Sequence, residues 1–220
     1  MTICVIPARG GSKRLPRKNI LPYKGKPLLS YVVEAARASN VFDEIIVSSE
    51  DDEIRDIAVQ FGATAYQRDP AIAGDGSTVV EVCLDVLDKN STEIFCCIYP
   101  TAVLLSSETI STSKALFDDY GESKASVLMG VSKYNYHPVQ ALSLEVDGSG
   151  IPMFPEFRSV QSQFYPHARV SNGTFYWGRK SRFEIEKSFY SEKLKLFEVP
   201  DSEVCDIDTP EDYSRLLLSG

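Results

Sequence analysis

Short apolar runs recur along the chain, and between them apolar residues return at three- and four-residue intervals. Ile3 to Ile6 predicts a strand covered on both faces, and Leu28, Leu29, Val32, Val33 and Ala36 form the stripe of a helix opening at Pro27. Ile45 to Val47 predicts a second buried strand. A helix beginning within Ser49 to Asp52 follows, carrying Ile54, Ile57, Ala58 and Phe61 on one face and stopping at Gly62. Ala63 to Tyr66 reads as a short strand, Thr78 to Leu87 as a helix and Ile94 to Tyr99 as a strand. Next come a helix capped by Ser106 or Ser107 and reaching about Tyr120, and a strand over Ala125 to Val131. Apolar strands alternating with amphipathic helices predict an α/β fold: a mostly parallel, Rossmann-like sheet sandwiched by helices.

The rhythm changes near Lys133. Val139 to Val146 has a strand-like pattern, Asp147-Gly148-Ser149-Gly150 is a turn signal, and Ile151 to Phe154 is its hairpin partner. Phe157 to Val170 is polar and aromatic without a period. An insert over residues 133–170 is therefore expected to form a small β-containing lobe that covers a substrate or meets another subunit. The main pattern resumes with strands over Thr174 to Gly178 and Leu196 to Val199, and a short helix over Ser181 to Lys187. A last helix is capped by Thr209, with Pro210 at its first position. With no repeats or long linkers, residues 1–220 are expected to form a single domain.

Charge alters the picture at one place. The net charge is −8, yet seven of the 23 Lys and Arg residues lie between Arg9 and Lys26: Arg9, Lys13, Arg14, Arg17, Lys18, Lys24 and Lys26. With a pI near 4.9 the chain has no overall positive field for a nucleic acid. A basic, glycine-bearing loop after the first strand suits a small polyanion instead. Gly10-Gly11 lets backbone N–H groups approach phosphate oxygens, Ser12 adds a hydroxyl, lysines supply point charge and arginines a bidentate fork. The competing reading is a solvated surface loop.

Five cysteines, Cys4, Cys83, Cys96, Cys97 and Cys205, without CxxC spacing, read as reduced core residues. The two histidines, His137 and His167, have no ligand spacing and read as loop residues. The basic residues follow the first apolar run instead of preceding it, and no run approaches membrane length, so a cytoplasmic address without membrane contact is expected.

The loop lacks the Gly-Lys-Ser/Thr of a Walker A motif and the spacing of a dinucleotide fingerprint. Chemistry on a nucleoside triphosphate needs a metal and carboxylates to hold it. Asp206-Ile207-Asp208 offers such carboxylates, because residues two apart in an extended segment point to the same side while Ile207 packs inward; the competing reading is a pair of surface or capping carboxylates.

Ile6 to Asn19, IPARGGSKRLPRKN, resembles the signature loop of the CMP-acylneuraminate (sialic acid) synthetase family of cytidylyltransferases. Gly25-Lys26-Pro27-Leu28, Arg68-Asp69-Pro70, Asp75, Asn172-Gly173 and Asp206 to Asp212 follow in the expected order. Within that family, His137-Pro138-Val139-Gln140, Gly173 to Gly178 and Cys97-Ile98-Tyr99-Pro100-Thr101 look most like the pseudaminic acid branch. Tyr99 stands where sialic acid enzymes carry a glutamine.

The resemblance implies a nucleotidyltransferase fold and a Mg²⁺-dependent transfer of CMP from CTP to the anomeric hydroxyl of a nonulosonic acid, releasing pyrophosphate. It implies a homodimer whose insert reaches toward the partner. It assigns Lys18, Arg9 and Asp208 to catalysis and Asp206 and Asp208 to the metal. Ala8, Arg9, Gly10, Gly11, Ser12, Lys18, Asn19, Arg68, Asp75, Ser77 and Thr78 are assigned to the nucleotide. Candidates for the acceptor are Tyr99, Gln140, Arg158, Gln161, Gln163, Asn172 and Tyr176, with Phe189 and Tyr190 as walls. Alternatives are a CMP-N-acetylneuraminate or 3-deoxy-octulosonate cytidylyltransferase, or a non-catalytic module that senses CTP.

Overall fold

A computed structural model describes residues 1–218 of the chain. The first apolar run becomes β1 (Thr2–Pro7), followed by the basic loop, a 3₁₀ turn at Lys18–Ile20, and a small hairpin of β2 (Pro22–Tyr23) and β3 (Lys26–Pro27). Lys24 and Gly25 at its tip both have positive φ, the conformation a two-residue hairpin turn demands. Helix α1 (Leu28–Ala38) begins one residue later than expected: Pro27 is extended and precedes the helix. There follow β4 (Glu44–Ser49), α2 (Asp52–Gln60), β5 (Thr64–Gln67), α3 (Val79–Asp88), β6 (Ile94–Ile98) and α4 (Ser107–Lys124). Helix α4 continues past Tyr120 through a non-helical Gly121. The chain ends with β7 (Val127–Lys133), the hairpin β8 (Leu142–Leu144) and β9 (Gly150–Pro152), β10 (Arg169–Arg179), α5 (Lys180–Glu186), β11 (Leu194–Glu198) and α6 (Pro210–Leu218).

Seven strands form one sheet in the order β11-β7-β10-β6-β1-β4-β5. All neighbours are parallel except β10, which runs antiparallel to both β6 and β7. Alternate residues of each strand feed opposite faces. Cys4, Ile6, Cys96, Ile98 and Trp177 pack under α1, α2 and α4, whereas Ile3, Val5, Phe95, Cys97 and Tyr176 pack under α3 and α5. Trp177 stacks on Phe42 and Phe117, and its indole N–H donates to Ser113 Oγ at 2.9 Å, so a fully buried polar group is satisfied. Four cysteines lie in this core, and burial pushes the thiols of Cys4, Cys96 and Cys97 well above the usual range.

Two differences from the sequence expectation bear on the site. The region from 139 to 146 is strand only at Leu142–Leu144, since Pro138–Gln140 forms a 3₁₀ turn capped by His137, whose Nδ1 faces the Val139 N–H at 3.3 Å. Strand β10 starts at Arg169, five residues before Thr174, and its register shifts between Ser171 and Tyr176, with Gly173 at positive φ. That bulge bends the strand at the rim of the sheet, as bulges beside binding sites do.

Candidate active site

Loops leaving the C-terminal ends of β1, β4, β5 and β6 converge on one edge of the sheet, where open α/β sheets bind ligands. The N-terminal half of β10 reaches the same edge because that strand is antiparallel. Two cavities open there, each of about 460 Å³, and both are lined by Tyr99.

The first cavity is bounded by the basic loop. Arg9, Ser12, Lys13, Arg14, Lys18, Asn19, Arg68, Asp75, Ser77, Thr78 and Asp208 all line it. It therefore gathers most of the residues assigned to the nucleotide, from the basic loop, from Arg68 and from the segment Asp75 to Thr78. A small apolar cluster holds the loop to the carboxylate segment. Leu15, in the middle of the loop, packs with Leu28, Val103, Leu216 and Ile207, which is fully buried between its two flanking aspartates. Burying each such side chain contributes about 1.5–3 kcal/mol, and the contact places Lys18 Nζ 2.8 Å from Asp208.

The cations of the loop are already paired. Asp208 also accepts from Arg14 at 2.6 Å; Asp75 accepts from Arg9 at 2.9 Å and pairs with Lys13. Partial desolvation works against ionising Asp208, but the Lys18 hydrogen bond and the charges of Lys18 and Arg14 outweigh it and hold the carboxyl below its usual range. Lys13, then Arg9, do the same for Asp75. Asp75 and Asp208 thus occupy the donors of Arg9, Lys13, Arg14 and Lys18, and any anion drawn to these cations would have to compete with them.

Not every basic residue of the loop takes part. Arg17, in a left-handed conformation, turns back to Asp51 and Glu53; Lys24 lies over Tyr23 and Lys26 pairs with Glu34. Lys13 and Arg14, which the resemblance does not assign to the nucleotide, also reach the cavity. Ala8 is buried and its N–H donates to Ser48 O at 3.0 Å. Gly10 directs its N–H to Glu50 Oε1 at 2.7 Å, and the Ser12 N–H returns to Gly10 O at 3.0 Å. The loop amides of Gly10 and Ser12 are therefore spent within the protein. Gly10 is required because a Cβ there would stand 2.5 Å from Asp51 Oδ2. Gly11 is exposed with open space around it. Asn19 is buried, donates to Arg9 O at 2.8 Å, and leaves Oδ1 without a partner. Thr78 caps α3 in a reciprocal box with Glu81 and still lines the cavity.

Asp206 lies on the other side of Ile207, in the lining of the second cavity with Ser132, Ser171, Asn172 and Tyr176. Among the described residues Asp206 has no hydrogen-bond or ion-pair partner. Desolvation first, and the neighbouring Asp208 second, push its carboxyl up. Burial pushes the phenols of Tyr99 and Tyr176 up, keeping both as neutral hydroxyl groups. The Tyr176 hydroxyl is 2.6 Å from Ser171 Oγ, and its ring stacks on Phe189 at 4.4 Å.

Of the acceptor candidates, Tyr99, Asn172 and Tyr176 line this cavity. Asn172 is held by Ser132 and Thr174, at 2.9 and 2.6 Å, and so shapes the bulge. Phe189 is a buried floor beneath Tyr176, while Tyr190 is exposed. Gln140, Arg158, Gln161 and Gln163 are exposed on the insert and line neither cavity; Gln163 donates to Gln161 at 2.6 Å.

The carboxylate segment is fixed at both ends. Glu203 accepts from Ser106 N and Oγ, both at 2.8 Å, and Asp212 accepts from Asp208 N, Thr209 N and Thr209 Oγ1. The Thr209 hydroxyl, followed by the Asp208 amide, holds Asp212 at about 2. Because this folded value lies below the ordinary carboxylate pKa, the stabilisation is present above about pH 4 and is lost as pH falls through about 2. Asp212→Asn is expected to cost about 1 kcal/mol at pH 7, lowering Tm by about 2–4 °C. In melting curves taken across pH, the gap between variant and parent should close from pH 4 to 2; a gap independent of pH would refute the assignment.

Comparison with known proteins adds chemistry to this geometry. A family model described as cytidylyltransferase matches residues 3–143. The pseudaminic acid cytidylyltransferase of Campylobacter jejuni subsp. jejuni is 35% identical over 226 residues, spanning 98% of this chain and 95% of that protein. The CMP-N,N'-diacetyllegionaminic acid synthase of Legionella pneumophila subsp. pneumophila is 34% identical over 220 residues, spanning 96% and 93% respectively. A solved structure of CMP:2-keto-3-deoxy-manno-octonic acid synthetase complexed with CTP superposes with a TM-score of 0.72 at 18% identity. It covers 99% of this chain and 97% of that one, a likeness of fold.

Proposed function

Because this chain belongs to the cytidylyltransferase family, we propose that it transfers CMP from CTP to the anomeric hydroxyl of a nonulosonic acid, pseudaminic acid or a close relative, and releases pyrophosphate. The observation that carries this reading is the pair of cavities meeting at Tyr99, one ringed by cations and the other by hydroxyls, with Asp208 in the first and Asp206 in the second.

In this reading the triphosphate occupies the first cavity, displacing Asp75 from Arg9 and Lys13 and drawing Arg14 and Lys18 off Asp208. The acceptor lies beyond Tyr99, against Tyr176 and Ser171. Its anomeric oxygen attacks the α-phosphorus in line; the new O–P bond forms as the bond to the bridging oxygen breaks, and that oxygen leaves with pyrophosphate. Lys18 and Arg9 neutralise the charge that gathers on the phosphates, and holding the reactants in line supplies much of the rest. Asp206 is the chain's candidate acceptor for the hydroxyl proton.

The implied cofactor is Mg²⁺, and the donor set fits it. Asp206 and Asp208 are two carboxylates with unequal countercharge: Lys18 and Arg14 bond Asp208 directly and reach Asp206 only through space. The described residues hold no cluster of three or more His, Cys, Asp or Glu with metal-binding geometry. Mg²⁺ is commonly held by one or two carboxylates, its shell completed by water and phosphate oxygens. When bound, Mg²⁺ would supply neutralisation of the phosphate charge.

The insert supports an assembly of two copies. Tyr136, Leu142, Leu144, Val146, Ile151, Met153 and Phe164 are all exposed on it, a concentration of apolar surface uncommon on a monomer. Sedimentation velocity should show a dimer; a monomer at micromolar concentration would remove this part of the reading. No helix of the described residues is long and apolar enough to cross a membrane.

Pyrophosphate release is the decisive measurement, with CTP, UTP, ATP and GTP each offered pseudaminic, legionaminic, N-acetylneuraminic and 3-deoxy-octulosonic acids. Release is expected with CTP and pseudaminic or legionaminic acid. Release with CTP and N-acetylneuraminic or 3-deoxy-octulosonic acid alone would reassign the acceptor, and CTP binding without release would leave a nucleotide sensor.

A further inference from the structure

Between β4 and α2, Glu50 and Asp51 touch the basic loop at both of its ends. Asp51 caps α2 through the Ile54 N–H at 3.1 Å and pairs with Arg17, where the loop ends. Glu50 meets Gly10, where the loop begins: Gly10 N–H donates to Oε1 at 2.7 Å. The other oxygen, Oε2, is buried without a hydrogen-bond partner and stands 3.9 Å from Nη1 of Arg68.

Arg68 is an unusual cation. Only 3% of it is exposed, yet it lines the cavity. Its Nη2 and Nε donate to Ser48 O at 2.6 Å and Ser48 Oγ at 3.2 Å, both neutral acceptors. Glu50 is its one ion-pair partner among the described residues. A buried guanidinium without a carboxylate is strongly disfavoured, so removing Glu50 should shift the Arg68 side chain.

We propose that Glu50 is a positioning residue for the nucleotide: one oxygen holds the start of the basic loop, and the other faces Arg68. Glu50 lines neither cavity, so it acts through these two partners. It sets the spacing between Arg9, next to the anchored Gly10, and Arg68, which enters from the end of β5. Two cations from separate strands are thereby aimed at one anion. The role rests on reading the first cavity as the nucleotide site.

The test measures CTP binding by titration calorimetry in the presence of Mg²⁺, with no acceptor sugar, so an error about the acceptor does not enter. Glu50→Ala is expected to weaken CTP about tenfold or more. Glu50→Gln retains an acceptor for Gly10 but loses the charge opposite Arg68, and should weaken CTP about threefold or more. At saturating CTP, kcat should stay within about threefold of the parent, so the effect falls on KM. A purely structural role would lower Tm without this split.

Coupling is tested with Arg68→Gln: the double variant should be no weaker than the worse single variant by more than about twofold, since contacting residues give non-additive losses. Unchanged CTP affinity in a folded Glu50→Gln or Glu50→Ala protein, or losses that simply multiply, would overturn the proposal. If Glu50→Ala does not fold, Glu50→Gln carries the test by itself. A parent protein that binds no CTP would overturn the nucleotide reading and this role with it.

Discussion

Replacing Lys18 with alanine should lower kcat by about 10²–10³, the loss typical of removing one preorganised donor from developing charge. Lys18 follows the left-handed Arg17 and opens the 3₁₀ turn, a position that directs its ammonium into the cavity, 2.8 Å from Asp208. Stability should change little. The side chain keeps 21% of its exposure, and Asp208 retains Arg14 as a partner, so no buried charge is stranded. The measurement is pyrophosphate release at saturating CTP beside a thermal melt. Turnover within threefold of the parent would remove Lys18 from the catalytic set.

Asp208→Asn should be equally damaging, by about 10²–10³ in kcat, since it takes away a carboxylate from the intended metal pair. It makes a second, opposite prediction. Asp208 occupies Lys18 and Arg14 in the ligand-free protein, so in EDTA the variant should bind CTP at least as tightly as the parent. Lost turnover with retained or improved metal-free binding would separate a metal-holding role from a structural one. Weaker metal-free binding would instead show that Asp208 mainly orders the loop. The backbone anchors survive the change, because the Asp208 amide donates to Asp212 whichever side chain the residue carries.

Most of the fold was legible in the sequence because a doubly covered sheet leaves a plain mark. Its strands are continuous apolar runs, and its helices carry one stripe each. The part that escaped was the polar start of β10. Arg169 to Gly173 is half-buried at a cavity rim, so neither period applies, and the reach of the strand comes from pairing with β7. The hairpin in the insert was placed correctly but is shorter, because Pro138 sets a 3₁₀ turn where alternation alone suggested a strand.

At the candidate site, the family resemblance pointed to Arg68, Asp75, Tyr99 and Tyr176, which line the two cavities together with Arg9, Ser12, Lys18, Asp206 and Asp208. Phe189 illustrates the limit. An aromatic residue in a loop reads equally as a pocket wall or as core, and packing under Tyr176 places it in the core. Gln140, Arg158, Gln161 and Gln163 stand apart from both cavities in a segment whose lack of period left its path undefined. Glu50 escaped altogether, because an acidic residue before a helix looks like an ordinary N-terminal charge.

By itself, then, the sequence determined which segments are strands and helices, that a basic loop suited to a small polyanion follows the first strand, and which carboxylates could accompany it. Local spacing carries that information. Only the tertiary structure decided how the charges are matched. Lys18 and Asp208 are 190 positions apart, and their contact depends on Leu15 and Ile207 sharing one apolar cluster. Gly10 and Arg68 are joined through Glu50. Such pairings arise from the packing of distant segments, where burial of apolar side chains sets the positions and the charged groups are carried with them.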